Sequence, residues 1–281
     1  MIKVLQSGFY STIQDIGRFG YQDYGVPYSG VMDKQAATIA NTLLGNHENN
    51  AVLEITMTGP KLKFECDTLI CLSGASMNPQ INKNYIPNNK IFNVKKDDVL
   101  SFGKLDSGFR CYLAVLGGFN VEMVMNSRSM YQNITQQSSI KKGDQLAIKN
   151  STFNYKMHHS NLRVNTSYID NLTLEVYRGP EFKYLSVSNQ KKILSSRFTI
   201  SKYNNRMAYQ LEEVLANNLD SIITAPVLPG TIQLTPSGKL IILMKDCQTT
   251  GGYPRVLQLS ESAIHSLAQK ITGDKLQFKC L

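Results

Sequence analysis

Residues 67–76, DTLICLSGAS, are a short apolar run with β-branched residues, bounded by aspartate and glycine. Runs of this length and composition are typical of buried β-strands. The pattern recurs along the chain, in YLAVLGGF (112–119), LEVYRGP (174–180) and LIILMKD (240–246). We therefore predict a mainly β protein whose sheets are closed or nearly closed, so that strand edges are protected.

Helical periodicity is convincing in only three stretches of the sequence. Residues 32–46 place small and aliphatic side chains on one face and stop at Gly45. Residues 259–270 offer Ser260 as a cap, followed by an apolar stripe. Residues 181–195 show a weaker version of the same pattern. The predicted fold class is therefore mainly β with a few short helices.

The composition is that of a globular chain, with 42% hydrophobic and 18% charged residues among 281. The formal charge of +9 comes from scattered lysines, without a basic stripe interleaved with aromatics, so we predict no nucleic-acid partner. The N-terminus has no apolar stretch of the kind a signal peptide needs, and no window approaches the roughly 18 apolar residues of a membrane helix. We expect a cytoplasmic protein with no membrane partner.

Metal and nucleotide motifs are missing from the sequence. The five cysteines have no CxxC spacing, and His158 and His159 lie in a polar loop without an acidic or cysteine partner nearby, so no metal site is predicted. There is no GxxxxGK[ST] phosphate loop, GxSxG elbow, HExxH motif or Rossmann fingerprint. If the protein uses ATP, we expect it to do so without a P-loop or with help from another chain.

A polar, aperiodic stretch at 149–170 is longer than an ordinary connection and suits a linker. Each half of the chain has one glycine-rich segment that leads into a short amphipathic helix, which suggests two related barrel-like domains. The first of these segments belongs to the first domain in this interpretation. The predicted boundaries are 1–150 for the first domain, 151–170 for the linker and 171–281 for the second domain.

The stretch TIQDIGRFGYQDYGVPYSGVMDK (12–34) is too polar and too rich in glycine to read as core. Glycines let backbone amides approach a ligand closely, and amides that lead into a helix N-terminus form an anion site. Backbone amides combined with carboxylate, guanidinium and neutral hydrogen-bonding side chains suit a polar substrate that has a carboxylate or an amide. The candidate side chains are Gln14, Asp15, Arg18, Ser29 and Asp33. A structural interpretation stays open, in which Asp33 caps the helix and the glycines only make turns.

The stretch DCQTTGGYPR (246–255) is denser in polar groups. A structural hairpin rarely needs two threonines, a glutamine and an arginine around a Gly-Gly pair, so we favour a ligand loop. Cys247 is a poor nucleophile candidate, because no histidine is close to it in sequence. The candidate residues are Gln248, Thr249, Thr250, Gly251, Gly252, Tyr253 and Arg255.

Taken together, these stretches resemble the C-type subunit of 5-oxoprolinase, a family also called allophanate hydrolase subunit 2 and grouped with the biotin-dependent carboxyltransferase-like proteins. The resemblance covers almost the whole chain in the expected order. The segments that carry it are QDIGRFGYQDYGVPYSGVMD (14–33), ANTLLGN (40–46), AVLEITMTGP (51–60), LSGAS (72–76), GPEF (179–182), PVLPGTIQLTPSGKLIILMKDCQTTGGYP (226–254) and LAQKITGDKLQF (267–278).

This resemblance implies two cyclophilin-like β-barrel domains in tandem. It implies membership of an ATP-dependent complex that opens 5-oxoproline (pyroglutamate) to glutamate, with the A-type and B-type subunits of 5-oxoprolinase as partners and with ATP and Mg shared among them. One alternative is a carboxyltransferase component that acts on urea or a similar amide, in which case carboxybiotin is the donor. Another is a non-catalytic regulator that binds a B-type, kinase-inhibitor-like partner.

Within the resemblance, hypothetical roles follow for the polar groups of both segments. Arg18 or Arg255 would hold a carboxylate or phosphate, and Asp15 or Asp246 would orient water or act as a base. Backbone amides near the Gly-Gly pair would stabilise a developing oxyanion. The catalytic candidates are Asp15, Arg18, Asp246 and Thr250. The substrate-binding candidates are Gln14, Ser29, Asp33, Gln248, Thr249, Gly251, Gly252, Tyr253 and Arg255.

The chain departs from the family pattern at two segments. Residues 136–144 lack the glycine-rich turn with an arginine that usually precedes the K-x-G-D-like strand. Residues 206–213 read RMAYQLEE, where the family tends to show R-M-G-Y-R-L-x-G. The two departures leave open whether the activity is kept, abolished or redirected.

Overall fold

The computed structural model describes residues 1–149 and 164–281. The chain divides into two compact units, one made of Met1–Arg18 with Asp33–Ile169 and the other of Phe19–Met32 with Asp170–Leu281. This division differs from the expected one because Phe19–Met32, the middle of the first glycine-rich segment, groups with the second unit. Residues 151–163 of the expected linker lie outside the described residues.

The first unit is built mainly from short strands. The bounds of its strands and its helix are β1 Ile2–Gln6, β2 Tyr10–Gln14, α1 Lys34–Leu43, β3 Val52–Thr56, β4 Lys61–Phe64, β5 Thr68–Ser76, β6 Gln80–Ile81, β7 Asn84–Tyr85, β8 Ile91–Val94, β9 Val99–Ser101, β10 Ser107–Val115 and β11 Gln145–Leu146.

These strands form two antiparallel sheets that share one core. One sheet has the order β11-β1-β4-β9-β6-β7, and the other has the order β2-β3-β10-β5-β8. Val4 and Leu62 from the first sheet and Leu53 and Leu113 from the second are buried in the same apolar cluster. Because side chains alternate across a strand, each sheet turns one apolar face toward this interior.

Helix α1 covers one face of the second sheet, against β5 and β10. Its N-cap is Asp33, whose Oδ1 accepts a hydrogen bond from Ala36 N at 3.0 Å. Ala36, Ala37 and Ala40 are buried, and such small side chains let the helix approach the sheet closely. The helix predicted over 32–46 is confirmed, with a length set by the cap at one end and Gly45 at the other.

The second unit combines nine strands with two short helices in the part of the chain that the structure describes. The bounds are β12 Thr173–Arg178, α2 Val187–Ser195, β13 Arg197–Asn204, β14 Ala208–Val214, β15 Ala225–Pro226, β16 Thr231–Leu234, β17 Lys239–Leu243, β18 Thr250–Gly251, β19 Arg255–Leu259, α3 Glu261–Ala268 and β20 Lys275–Cys280.

Seven of these strands close into a barrel with the order β12-β19-β16-β17-β14-β13-β20. The closing pair, β12 with β20, is parallel, and the other pairs are antiparallel. Closure leaves no exposed strand edge in the barrel. The short strands β15 and β18 form a separate two-stranded ribbon.

The segment Phe19–Met32 is anchored in the second unit by its last residue. Met32 has no exposed surface and belongs to the apolar core of the barrel, with Ile242 and Met244 among its members. Burying a methionine side chain stabilises a fold by roughly 2 kcal/mol. Earlier in the segment, a 3-10 turn at Gln22–Tyr24 ends at Gly25, which has a left-handed backbone with φ 76°.

The prediction of a mainly β fold with a few short helices is confirmed. The strand-like runs at 67–76, 112–119, 174–180 and 240–246 correspond to β5, the end of β10, β12 and β17. The weakly periodic stretch at 181–195 contains a 3-10 turn, Phe182–Tyr184, before α2 begins. The predicted cap Ser260 accepts a hydrogen bond from Ala263 N at the start of α3.

The helices are all short. The longest helix of the described residues, α1, has 10 residues, whereas a helix needs about 20 to cross a bilayer. Across the ranges 1–149 and 164–281, no helix combines the length and the apolar content of a membrane span.

Candidate functional site

Asp15 is buried in the first unit, where its carboxylate accepts four hydrogen bonds. The Ser127 and Ser129 hydroxyls donate to Oδ1 at 2.7 Å each, and Gly17 N donates to the same oxygen at 2.9 Å. Arg128 N donates to Oδ2 at 2.6 Å. We call this arrangement the Asp15 network; it ties β2 to the loop that contains residues 124–130.

Arg18 and Gln14 hold the same loop through its backbone. Arg18 has no exposed surface, and its Nε and Nη2 donate to the carbonyls of Val124 at 3.1 Å and Ser129 at 2.9 Å. Gln14 is also fully buried and donates from Nε2 to Met130 O at 3.1 Å. The three candidates from β2 and the residues after it therefore meet, and all three fasten one loop.

Asp33 caps helix α1, as expected from the structural interpretation that the sequence left open. In addition to capping α1, its Oδ2 accepts a hydrogen bond from the Tyr168 hydroxyl at 2.8 Å, and its backbone N donates to the Tyr112 hydroxyl at 2.8 Å. Burial first, and the Asp33 charge second, raise the pKa of Tyr168 well above its ordinary value. Asp33 is thus a buried hub of hydrogen bonds within the first unit.

A buried ion pair in the same unit was missed from the sequence. Arg110 Nε lies 3.8 Å from Glu54 Oε1, and both side chains are almost fully buried. Burial and the charges of Glu54 and Asp33 raise the pKa of Tyr112. A signal was present, because Glu54 and Arg110 are charges in the middle of apolar strand sequences.

In the second unit, Arg206 joins both glycine-rich segments. Its Nε and Nη2 donate to Asp246 Oδ2 at 2.8 Å and Oδ1 at 3.1 Å, and Nη2 also donates to Gly30 O at 2.7 Å. Asp246 N donates back to Arg206 O at 2.9 Å, and Ser29 N donates to Lys245 O at 2.9 Å. We call these contacts the Arg206 network. Nothing local in the sequence indicated the role of Arg206.

Ser29 has two unusual features for a buried residue. Its φ is 54°, in the left-handed region that non-glycine residues seldom adopt. Its side chain is 1% exposed, and its Oγ has no hydrogen-bond partner among the described residues. Strained backbone and unsatisfied buried groups cluster at functional sites, so the geometry of Ser29 favours its prediction as a ligand-binding residue.

The second glycine-rich segment contributes one strand of the β15–β18 ribbon. Ala225 pairs with Gly251 and Pro226 with Thr250, while Val227 N donates to Thr249 O at 3.0 Å. Thr250 remains exposed on this ribbon, so its hydroxyl is accessible to a ligand or to another protein.

Gly251 approaches the end of a barrel side chain closely. A Cβ at this position would lie 2.4 Å from Gln233 Nε2, whereas a Cβ at Gly252 would meet nothing closer than Ile222 O at 3.6 Å. Gln233 is 1% exposed and donates to Tyr253 O across a long 3.4 Å contact. Gln233 is a further residue that sequence reasoning missed.

An open cavity of about 440 Å³ lies beside this contact, in the second unit. Gln248 and Tyr253 of the second segment line it together with Gln233, and Ile241 and Leu243 add apolar surface. The rest of its lining comes from β13, β14 and the turn between them, and it includes Lys202 and Met207. We call it the Gln248 cavity, because Gln248 Oε1 is buried without a partner among the described residues.

Arg255 is already paired. Its Nε and Nη2 donate to Glu181 Oε2 at 3.0 Å and Oε1 at 2.9 Å, and its backbone N donates to Oε2 at 2.8 Å. The hydrogen bonds from Arg255 lower the pKa of Glu181 below its ordinary value. Glu181 belongs to the GPEF segment, and this bidentate pair anchors that segment to the start of β19.

Cys247 has the properties of an unreactive thiol. Burial, followed by the neighbouring Asp246 charge, raises its pKa to about 12, and thiolates rather than thiols act as nucleophiles. Among the residues that the structure describes, no group of three or more His, Cys, Asp or Glu side chains could hold a metal ion. His158 and His159 lie outside those residues.

The candidates thus fall into separate groups. Gln14, Asp15 and Arg18 meet in the first unit, where Asp33 has its own partners. In the second unit, Ser29 and Asp246 lie around the Arg206 network, while Gln248, Gly251 and Tyr253 lie around the Gln248 cavity. Among the described residues of the second unit, two buried side-chain atoms have no hydrogen-bond partner, Ser29 Oγ and Gln248 Oε1. Each belongs to one of these two groups.

Comparison with known proteins agrees with this fold and with these segments. The family model described as carboxyltransferase domain, subdomain A and B, matches residues 24–280. The chain belongs to this carboxyltransferase-domain family. It is 32% identical to the C-type subunit of 5-oxoprolinase from Escherichia coli (strain K12), over 99% of this chain and 90% of that protein, which confirms the resemblance seen in the motifs.

Two further relatives are larger proteins. The urea amidolyase of Lachancea kluyveri is 41% identical over 46% of this chain, which corresponds to 7% of that enzyme. The crystal structure of TTHA0988 superposes with a TM-score of 0.87 and 24% identity, over 99% of this chain and 55% of that one. The second comparison shows the fold; the chain spans about half of TTHA0988 and a small part of the amidolyase.

Proposed function

We propose that this chain is one subunit of an ATP-dependent 5-oxoprolinase complex that hydrolyses 5-oxoproline to glutamate. The observation that carries the proposal is the match to the C-type subunit of the E. coli 5-oxoprolinase, which extends over nearly the full length of both proteins. A match confined to one domain would leave the substrate open, whereas this one includes both glycine-rich segments. The partners are then the A-type and B-type subunits of such a complex.

The substrate site that we favour lies in the second unit, around the second glycine-rich segment. 5-Oxoproline is a five-membered lactam with a carboxylate, so it needs polar contacts for the amide and a cation for the acid. Arg18 and Arg255 are each committed to other partners. Lys202, exposed at the Gln248 cavity, is a cation of that region that can meet the carboxylate.

Hydrolysis of the lactam needs groups that orient water and stabilise the charge that develops on the carbonyl oxygen. The Arg206 network fixes Asp246 with two hydrogen bonds, so its carboxylate has one defined orientation from which to direct water. Thr250 presents an exposed hydroxyl in the adjoining ribbon. In contrast, the contacts of Asp15 and Arg18 favour a structural contribution from these two residues; their catalytic roles stay predictions.

The described residues do not by themselves identify a site for Mg–ATP. They contain no cluster of metal-ligating side chains, and the sequence has no phosphate-binding loop. We therefore assign nucleotide binding to the partner proteins and derive no step of this chain through it. What this chain contributes in the proposal is binding and orientation of the cyclic amide.

The site is tested in the three-protein complex, with glutamate release from 5-oxoproline measured with and without ATP. We expect Thr250→Ala and Asp246→Asn each to lower the rate by about tenfold or more while the complex still assembles. Because Asp246→Asn also removes the carboxylate that pairs with Arg206, its rate is compared only after its unfolding midpoint shows that the variant is folded. Gln277→Met, in the same barrel but bonded to Thr173, is the matched control and keeps the rate. Unchanged rates in both site variants would place the chemistry elsewhere.

A second candidate function is transfer of a carboxyl group to urea or a similar amide. The family model and the 41% identity to a urea amidolyase favour it. This chain shows no biotin-carrier lysine motif, so partners would supply carboxybiotin. The two functions separate in one assay, because bicarbonate-dependent and biotin-dependent consumption of urea supports the second, whereas glutamate release supports the first.

A further inference from the structure

The Gln248 cavity has an acceptor that no protein group satisfies. Within residues 1–149 and 164–281, Gln248 Oε1 has no hydrogen-bond partner, although this atom is shielded from bulk water. Buried acceptors without partners are rare in folded proteins. Because this atom has almost no accessible surface in the structure, a bound ligand with a suitable donor would satisfy it once the Gln248 side chain turns toward the cavity.

Gln233, which also lines this cavity, offers a donor that is only weakly engaged. Gln233 Nε2 reaches Tyr253 O at 3.4 Å, close to the outer limit of a hydrogen bond. The missing side chain at Gly251 leaves room for this amide, since a Cβ there would lie 2.4 Å from Nε2. The cavity therefore presents one unpaired acceptor and one donor that a better acceptor can recruit.

We propose that the Gln248 cavity binds the planar amide or ureido group of a small ring, with the ligand N–H donating to Gln248 Oε1 and Gln233 Nε2 donating to the ligand carbonyl. This inference rests on the proposed function for the identity of the ring, since a lactam has both groups. Gln248 and Gln233 are then the residues that select an amide over other rings.

The charge and the lining of the cavity favour an amide ring over a cation or an apolar ring. No Asp or Glu lines the cavity in the described part of the chain, while Lys202 does, so a cation has no carboxylate to meet. An apolar ring would leave Gln248 Oε1 unpaired. Ile241 and Leu243 provide apolar surface for the face of a ring, and about 440 Å³ falls within the range of small-molecule sites.

The test compares two rings of equal size. The full chain is titrated with 2-pyrrolidinone and with γ-butyrolactone, which has an oxygen in place of the N–H, and binding is followed by ligand-observed NMR. We expect the lactam to bind about tenfold more tightly or better, because the lactone places a lone pair against Gln248 Oε1. Gln248→Met removes the acceptor at similar volume, so it is expected to abolish this preference.

Gln277→Met is the control for the barrel, because Gln277 bonds to Thr173 away from the cavity, and it is expected to keep the preference. The proposal is overturned by equal binding of both rings, by absence of binding, or by a preference that survives Gln248→Met. None of these readouts uses ATP or turnover. A lactam preference without glutamate release from the complex would reject the proposed function alone, and glutamate release without that preference would reject this inference alone.

Discussion

Arg206 and Asp246 form a two-point ion pair, with Nε–Oδ2 and Nη2–Oδ1 distances of 2.8 and 3.1 Å, in which both side chains are nearly buried. The guanidinium also holds Gly30 O, so a single side chain connects the two glycine-rich segments within the second unit. Removing one partner of such a pair leaves a buried charge uncompensated, which is more damaging than the pair itself is stabilising.

We predict that Arg206→Ala lowers the free energy of unfolding by about 3–5 kcal/mol. Arg206→Lys should recover part of the loss, because lysine keeps the charge but not the two-point geometry. Urea denaturation followed by circular dichroism measures both. Lys95→Ala, which breaks the exposed Lys95–Asp67 pair, is the control and should leave the unfolding midpoint nearly unchanged. Equal midpoints for Arg206→Ala and the control would contradict the prediction.

Asp15→Asn separates the structural and catalytic interpretations of Asp15. Four donors converge on its carboxylate, and an amide can accept from fewer of them, so we expect a loss of roughly 2–3 kcal/mol in stability. Hydrogen exchange at Arg128 N should accelerate in parallel. If Asp15 acts in chemistry instead, turnover of the assembled complex falls steeply while the unfolding midpoint and the exchange rate stay at their wild-type values.

Several of these features were accessible from the sequence, and others were not. The strands β5, β12 and β17 and the caps Asp33 and Ser260 follow from local patterns that span a few residues. The grouping of Phe19–Met32 with the second unit depends on the burial of Met32 in a core formed more than 140 residues later. Local periodicity contains no information about such a contact.

The candidate site shows the same limit. Gln248 and Tyr253 were found because polar residues crowd around a Gly-Gly pair. Arg206 and Gln233 were missed because their contacts are distant in sequence. Arg206 contacts Asp246 and Gly30, and Gln233 contacts Gly251. The catalytic roles predicted for Asp15 and Arg18 stay predictions, and their contacts with a loop more than 100 residues away could not be read from local sequence.

Gly251→Ala is predicted to be worse than Gly252→Ala. The new Cβ at 251 meets Gln233 Nε2 at 2.4 Å, whereas at 252 the nearest atom lies at 3.6 Å. Overpacking of this kind costs about 1–3 kcal/mol, and we expect Gly252→Ala to stay within about 0.5 kcal/mol of wild type. Thermal unfolding measures the difference. Adding Gln233→Ala to Gly251→Ala should restore part of the stability; failure to do so would show that Gln233 is not the obstacle.

Stability is expected to fall at high pH because of buried thiols. Burial raises the pKa of Cys71, Cys111 and Cys247 to about 12 from an ordinary value of 9.0. In the unfolded chain these thiols ionise near pH 9. Their burial therefore contributes fully to the free energy of unfolding below pH 9, and this contribution is lost as the pH rises toward 12. Urea midpoints measured at pH 8 and pH 10.5 check the sign, and Cys247→Ala should flatten the decline. A midpoint that rises with pH in the wild type and not in the variant would contradict it.

If the proposed function is correct, ATP-dependent opening of 5-oxoproline requires this chain. The rate of glutamate formation by the A-type and B-type partner proteins is measured with this chain present and absent, at saturating ATP. We expect glutamate only when this chain and ATP are both present. Glutamate formed equally well without this chain, or none from the assembled complex, would contradict it.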